Sequence, residues 1–487
     1  MQTRTAQAAG IRRATHLYVD VLSCAFVLAR WVLFGKNWPA PAVLLRRPFH
    51  ARRLRSTESL VAKEMGEMNS IADQECLRRS EHVAAFLLAV AWIVSRRPDA
   101  LMHAQFWGED GAVFFADAYN LGWWPALFQQ FAGYFEVFPR LGSALALLVP
   151  LTSAPLLLNV IAIMNQAIPV SLLLSARSSA WGSLRFRAVL GGVYLATPNA
   201  WELIGTIANS QWFLVVSAFL LLVASKPHTV MARVFDVCVL AVCGLSGPFC
   251  IILFPISAFI AWRERDGWRW IEAGILATTC IVQGLGLLSG GIASRSHPPF
   301  GASTEMLTRV LAGQLYLGSM LGNNGLAARG GAPTFIFLAF VAVSGTVLLA
   351  IYLFRSALRI KLFFLVSVLI LVSSLIAPRF GGNNGLTVLM HMARGSGLRY
   401  WFFPSLAIEW LILWHFENSR VLMSRIVSAV LLLFFCFGVL LRWQAPAFQN
   451  MHFADYARRF ESAPPGTVMV IPENPSGWKL QLIKHTQ

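Results

Sequence analysis

Long apolar runs separated by short polar connectors recur from about residue 80 to residue 441. They fall at 82–95, 141–176, 187–204, 211–225, 234–246, 249–262, 270–289, 334–353, 361–377, 401–416 and 426–441. A helix needs ~20 mostly apolar residues to cross a bilayer, so the pattern predicts an all-α polytopic membrane protein. The run 141–176 is about twice the length one span needs. Pro150 and Pro155 interrupt it. One crossing preceded by a surface or re-entrant helix keeps the following basic loop inside. About eleven crossings result, with inner connectors 177–187, 226–233, 263–269, 355–361 and 418–425. The arginines flanking the first run, Arg79, Arg96 and Arg97, are expected to snorkel to the interface.

This pattern sets the expected organisation. Residues 1–80 form a basic N-terminal segment, 81–441 a transmembrane bundle, and 442–487 a small extracytoplasmic tail. Outer loops are expected at 98–140, 290–333 and 378–400. The run at 16–34 is broken by Asp20 and Arg30 and has no small-residue cleavage site after it. The functional polypeptide is expected to begin near Met65 or Met68. In the tail, turn residues 463–466 precede the β-branched run 467–471, and Pro472-Glu473-Asn474-Pro475 follows. That reads as a strand packed on the outer loops.

Composition supports this class. The chain has 487 residues, 56% hydrophobic and 13% charged, whereas soluble domains carry about 25% charged residues. The net charge of +17 does not make it a nucleic-acid binder. Its basic residues gather in the inner connectors, as the positive-inside rule expects. The expected location is the inner (cytoplasmic) membrane. Seven cysteines form no C-x-x-C pair, and no H-E-x-x-H occurs, so zinc or dithiol chemistry has no support.

The chemistry is expected in 106–140, the longest interval of the first half without an apolar helical pattern. Glu109 and Asp110 lie between Gly108 and Gly111, and glycine permits unusual backbone angles and close approach of a substrate. One carboxylate can act as a general base on an acceptor hydroxyl. The pair, Asp110 in particular, can also ligate a divalent cation such as Mg or Mn. Asp117, if on a helix, shares a face with Asp110. Glu136 and Arg140 suit an ion pair that shapes the loop. The aromatics Trp107, Trp123, Trp124, Phe131, Tyr134 and Phe135 suit the membrane interface. Glu202 sits at a far-side turn, where an ionisable group is a functional candidate. Arg379, His391, Arg394 and Arg399 are basic on the outer side, against the general trend. Arginine forks bind phosphate, so a phosphate-bearing lipid carrier is the expected ligand. Arg295, His297, Arg309 and Arg329 form a weaker second cluster.

Over residues 80 to 487 the pattern resembles the GT-C glycosyltransferases. The resemblance rests on the loop with Glu109-Asp110 after the first span and on Pro139-Arg140-Leu141 opening the next helix. It rests also on the alternating crossings and on Arg399-Tyr400-Trp401-Phe402-Phe403-Pro404 before the last helix pair and tail. It implies an inverting transfer from a polyprenyl-phosphate-linked sugar to a glycan or lipid acceptor of the envelope. Glu109 or Asp110 takes the family's acidic role, and Arg399 with Arg379 or Arg394 its lipid-phosphate role. The family pair is often two aspartates or Asp-Glu. Here the order is Glu-Asp, and Val137-Phe138-Pro139-Arg140 stands where many members have His-Pro-Pro. A flippase of lipid-linked saccharides and a polymerase are the competing readings. The first predicts charges within spans and paired broken helices.

Overall fold

The computed structural model describes residues 77–291, 299–322, 325–376, 378 and 386–485. The segment 1–76, with the expected start near Met65 or Met68, lies outside the described residues. Among the described residues, five helices are long and apolar enough to cross a membrane: Leu151–Leu174, Gly267–Ser289, Ala332–Arg355, Leu358–Ile376 and Leu422–Leu441. The fold is mostly helical, as an all-α membrane protein requires.

The larger helices, in chain order, are α1 (Arg79–Arg96), α2 (Val137–Ala146), α3 (Ala154–Leu174), α4 (Leu184–Ala196) and α5 (Ser210–Val223). Then come α6 (Val230–Gly244), α7 (Cys250–Glu264), α8 (Gly267–Gly286), α9 (Thr304–Val310), α10 (Ala332–Arg355) and α11 (Leu358–Ile376). The last are α12 (Val388–Ala393), α13 (Phe402–Asn418), α14 (Leu422–Leu441) and α15 (Phe453–Glu461). Local sequence signals start several of them. Ser183, Thr229, Ser303 and Thr387 accept a backbone N–H at the N-termini of α4, α6, α9 and α12, and Asp266 accepts that of Trp268 at α8. Each such cap contributes ~1 kcal/mol.

α5 is buried along nearly its whole length, from Trp212 to Leu222. A helix apolar all round belongs in the interior, and α5 packs against α3, α6 and α7. α10 and α14 are the opposite case. Ile336, Phe340, Val343, Leu433 and Leu440 are exposed. An aqueous surface rarely tolerates so much exposed apolar area, which suits lipid. In the long run 141–176, α2 and a short 3₁₀ turn precede the single long helix α3.

Three expectations are corrected. Arg96 and Arg97 do not snorkel; they are 2% and 0% exposed. Arg96 donates to the carbonyls of Leu195 (2.6 Å), Thr197 (3.1 Å) and Trp443 (3.2 Å). Those carbonyls include orphan acceptors at the C-terminal end of α4, which a buried cation satisfies. Arg97 donates to Ile204 and Pro446 and lies 4.5 Å from the ring centroid of Phe448. Second, 106–140 is largely helical although it shows no apolar helical pattern. It holds a π-helical turn, Asp110–Phe115, the helices Ala116–Leu121 and Trp123–Leu127, and a small hairpin, β1 (Gln130–Phe131) and β2 (Tyr134–Phe135). Third, basic residues expected only as topology signals in the connectors form ion pairs. Arg177 grips the buried Asp236 through two hydrogen bonds of 2.8 and 2.6 Å. Arg269 binds Glu264 and Glu272 at 2.7 and 2.9 Å.

The tail is a unit of α15 and the antiparallel strands β3 (Val468–Glu473) and β4 (Trp478–Ile483). The expected strand at 467–471 is the first of the two. The alternation of β4 places Leu480 and Leu482 inward. They join Phe453, Phe460 and Ile471 in a core shared with Phe106, Phe115 and Leu158. The tail therefore cannot bury its apolar face without the first loop.

Candidate functional site

One end of the bundle gathers the first loop, the 199–209 turn, the Ser246–Gly247 turn, the segment before α13 and the tail. β2 is tied to the bundle by Gln283 of α8. Its amide oxygen accepts the Phe135 N–H at 2.8 Å, and its amide nitrogen reaches the carbonyls of Phe135, Gly244 and Gly247 at 3.1 to 3.2 Å. Glu136 pairs with Ser246 through the backbone.

Glu109 and Asp110 point to different tasks. Asp110 is 1% exposed, and its two oxygens accept the backbone N–H groups of Ile207 (3.2 Å) and Ala208 (2.8 Å). Burial dominates and raises its pKa to about 8, against the pull of those N–H donors and with Glu109's charge adding to the rise. Asp110 thus joins the first loop to the turn before α5. Glu109 is only partly buried. It stands one residue before the π turn, a helical irregularity often found at functional sites.

Arg399 lies on the 3₁₀ turn Leu398–Trp401. Its guanidinium pairs with Glu202, and its backbone N–H donates to the same carboxylate at 3.2 Å. Both side chains retain exposure, 24% for Arg399 and 15% for Glu202. Burial works against the charge of Arg399. Glu202, then Tyr400 and Glu109, outweigh it and raise its pKa. Asp110 bonds to the same 199–209 turn that carries Glu202, so Glu109, Glu202 and Arg399 come to one end of the bundle, although 90 residues or more separate each from the next in the chain. Tyr400 packs edge-on to Trp212.

The other expected residues distribute as follows. Arg140 is buried and bonds Asp117 at 3.0 Å, with its guanidinium 5.4 Å from the Phe114 ring. The pair drawn between Glu136 and Arg140 is thus corrected to Asp117–Arg140; a π turn lies between Asp110 and Asp117, and they serve different partners. His391 is buried on α12, which packs on α9; burial, then Arg394, lowers its pKa. Arg394 is exposed at the end of α12. Arg379, Arg295 and His297 lie outside the described residues. Arg309 bonds Glu305 at 2.8 Å and the carbonyl of Arg329. Trp123 and Trp124 are 53% and 57% exposed, as interface aromatics would be, whereas Tyr134 is buried and Trp107 packs between Trp201, edge-on, and Phe448.

Among the described residues no three His, Cys, Asp or Glu side chains are grouped to hold a metal ion. Asp110, whose oxygens already serve two N–H donors, fits that role poorly. The glycine reading is also corrected. Gly108 does use the left-handed region, at φ +53°. Gly111 makes room for protein, not substrate. A Cβ there would stand 2.0 Å from Glu473 Oε2 and 2.8 Å from Phe106 Cβ. Glu473 is the residue that sequence reasoning missed. It sat in a turn-like stretch, and nothing local marked it as a partner of the first loop.

Compared with known protein families, curated proteins and solved structures, the chain matches none of them.

Proposed function

We propose that the chain is an integral membrane glycosyltransferase of GT-C type. It moves a sugar from a polyprenyl-phosphate donor to an envelope glycan, lipid or protein acceptor at the extracytoplasmic face of the cytoplasmic membrane. The supporting observation is that the loop bearing the partly buried Glu109 is bonded through Asp110 to the 199–209 turn, whose Glu202 holds the partly exposed Arg399. On this reading the bundle has about eleven crossings.

In the proposed reaction the acceptor hydroxyl oxygen attacks the sugar's anomeric carbon. Its proton passes to Glu109, and the bond from that carbon to the phosphate oxygen breaks with its electron pair leaving on the phosphate. Arg399 binds that phosphate as charge develops, where a charge-assisted fork is strongest. Glu202 holds the guanidinium in place until the donor arrives. Asp110 fixes the loop that carries Glu109. The chemistry asks for a placed base and a stabilised leaving group, both of which act largely through orientation.

Export of a lipid-linked saccharide is the second reading. Glu409 favours it: buried in α13, it accepts from Thr197 at 2.8 Å, and ionisable groups at membrane depth often mark transport paths. Mass spectrometry of envelope glycans with and without the chain separates the two. A transferase leaves glycans short of one sugar; an exporter leaves whole lipid-linked intermediates inside the cell. Unaltered glycans would defeat both.

A further inference from the structure

The tail touches the first loop on both sides of Glu109. On one side Asn474 pairs with Trp107 as a short parallel bridge, its carbonyl taking the Gly108 N–H at 2.5 Å. On the other, Glu473 Oε1 accepts the Ala112 N–H at 2.9 Å. Glu473 is 2% exposed, and its second oxygen, Oε2, is buried with no hydrogen-bond partner. That oxygen lies over Gly111, in the space a Cβ would fill. A buried polar oxygen with no partner is costly, so a tail needed only for packing would be better served here by an apolar side chain. The Asn474 side chain accepts the Gln449 N–H and donates to the Gln449 carbonyl, both at 2.9 Å, and reaches Gln105 of the first loop at 3.5 Å. Glu473 reaches from the tail to the turn that begins at Asp110 through a side-chain hydrogen bond.

We propose that Glu473 is a positioning residue, through which the C-terminal tail sets the place of Glu109 in the site. Asn474 fixes the backbone before Glu109, and Glu473 fixes the backbone after it. Glu109 is thereby presented from a segment held at both ends, while its own side chain stays partly exposed. The tail becomes part of the site although it supplies no reacting group. This inference rests on the reading of Glu109 as the base.

The experiment uses the full chain, with hydrogen–deuterium exchange of residues 106–112 in detergent beside glycan recovery in cells lacking the chain. Loss of one hydrogen bond should speed exchange of this segment in Glu473→Ala about tenfold, and glycan recovery should be lost. Glu473→Gln keeps an oxygen for the Ala112 N–H and should restore both. Where alanine prevents accumulation, Glu473→Asp withdraws the oxygen by one methylene and is read in the same two ways. Unchanged exchange in Glu473→Ala would overturn the proposal. Full recovery by Glu473→Ala beside an inactive Glu109→Gln would overturn the positioning role and leave the reading of Glu109 intact. Full recovery by Glu109→Gln would overturn both.

Discussion

Arg399 meets Glu202 twice, through its guanidinium and through its own backbone N–H, across 197 residues of chain. The contact joins the turn after α4 to the turn before α13. It presents a positive group at the end of the bundle where the acidic loop sits. A phosphate would compete with Glu202 for the same donors.

That competition gives a first expectation. Arg399→Ala should weaken transfer about tenfold to a hundredfold, the worth of a charge-assisted hydrogen bond. Arg399→Lys keeps the charge but loses the fork, and should recover only part of it. The check is transfer measured in membranes as a function of added polyprenyl-phosphate sugar. Donor dependence unchanged in both variants would remove Arg399 from the phosphate site.

Asp110 should behave as a structural group. Asp110→Ala orphans two buried N–H donors, at about 1–3 kcal/mol each, so it should accumulate poorly and melt early in detergent. Asp110→Asn keeps an acceptor and should be milder. Equal stability of Asp110→Ala and the parent chain would contradict the hydrogen bonds assigned to it.

The pH dependence of stability follows from the two buried carboxyls. Burial, with the neighbouring acids adding, raises Asp110 from 3.8 to about 8 and Glu473 from 4.5 to about 9. Between those limits the folded chain binds more protons than the unfolded chain, so stability falls as pH rises. The melting temperature should decline from about pH 5 to about pH 9, and the double variant Asp110→Asn, Glu473→Gln should flatten that decline. A melting temperature that climbs over the same window would refute the assignment.

The mostly helical class with membrane-length helices was legible because bilayer thickness imposes a length on apolar runs. The Pro150 and Pro155 breaks likewise marked where α2 gives way to α3. What the sequence could not reveal was which polar groups face each other. Glu109 and Asp110 are adjacent and chemically alike. They differ only because Asp110 meets Ile207 and Ala208, nearly a hundred residues on. Arg96 and Arg97 looked like interfacial cations because the carbonyls they satisfy belong to α4 and to the chain after α14. Glu473 was hidden for the same reason.

The most direct measurement compares envelope glycans by mass spectrometry in cells whose own copy is replaced by the parent chain, Glu109→Gln or Glu109→Asp. The proposed role gives complete glycans with the parent. With Glu109→Gln it gives glycans lacking one sugar, although the protein accumulates to the parent level. A carboxylate one methylene shorter should recover part of the product. Complete glycans in cells carrying Glu109→Gln would show that this carboxylate is not the base.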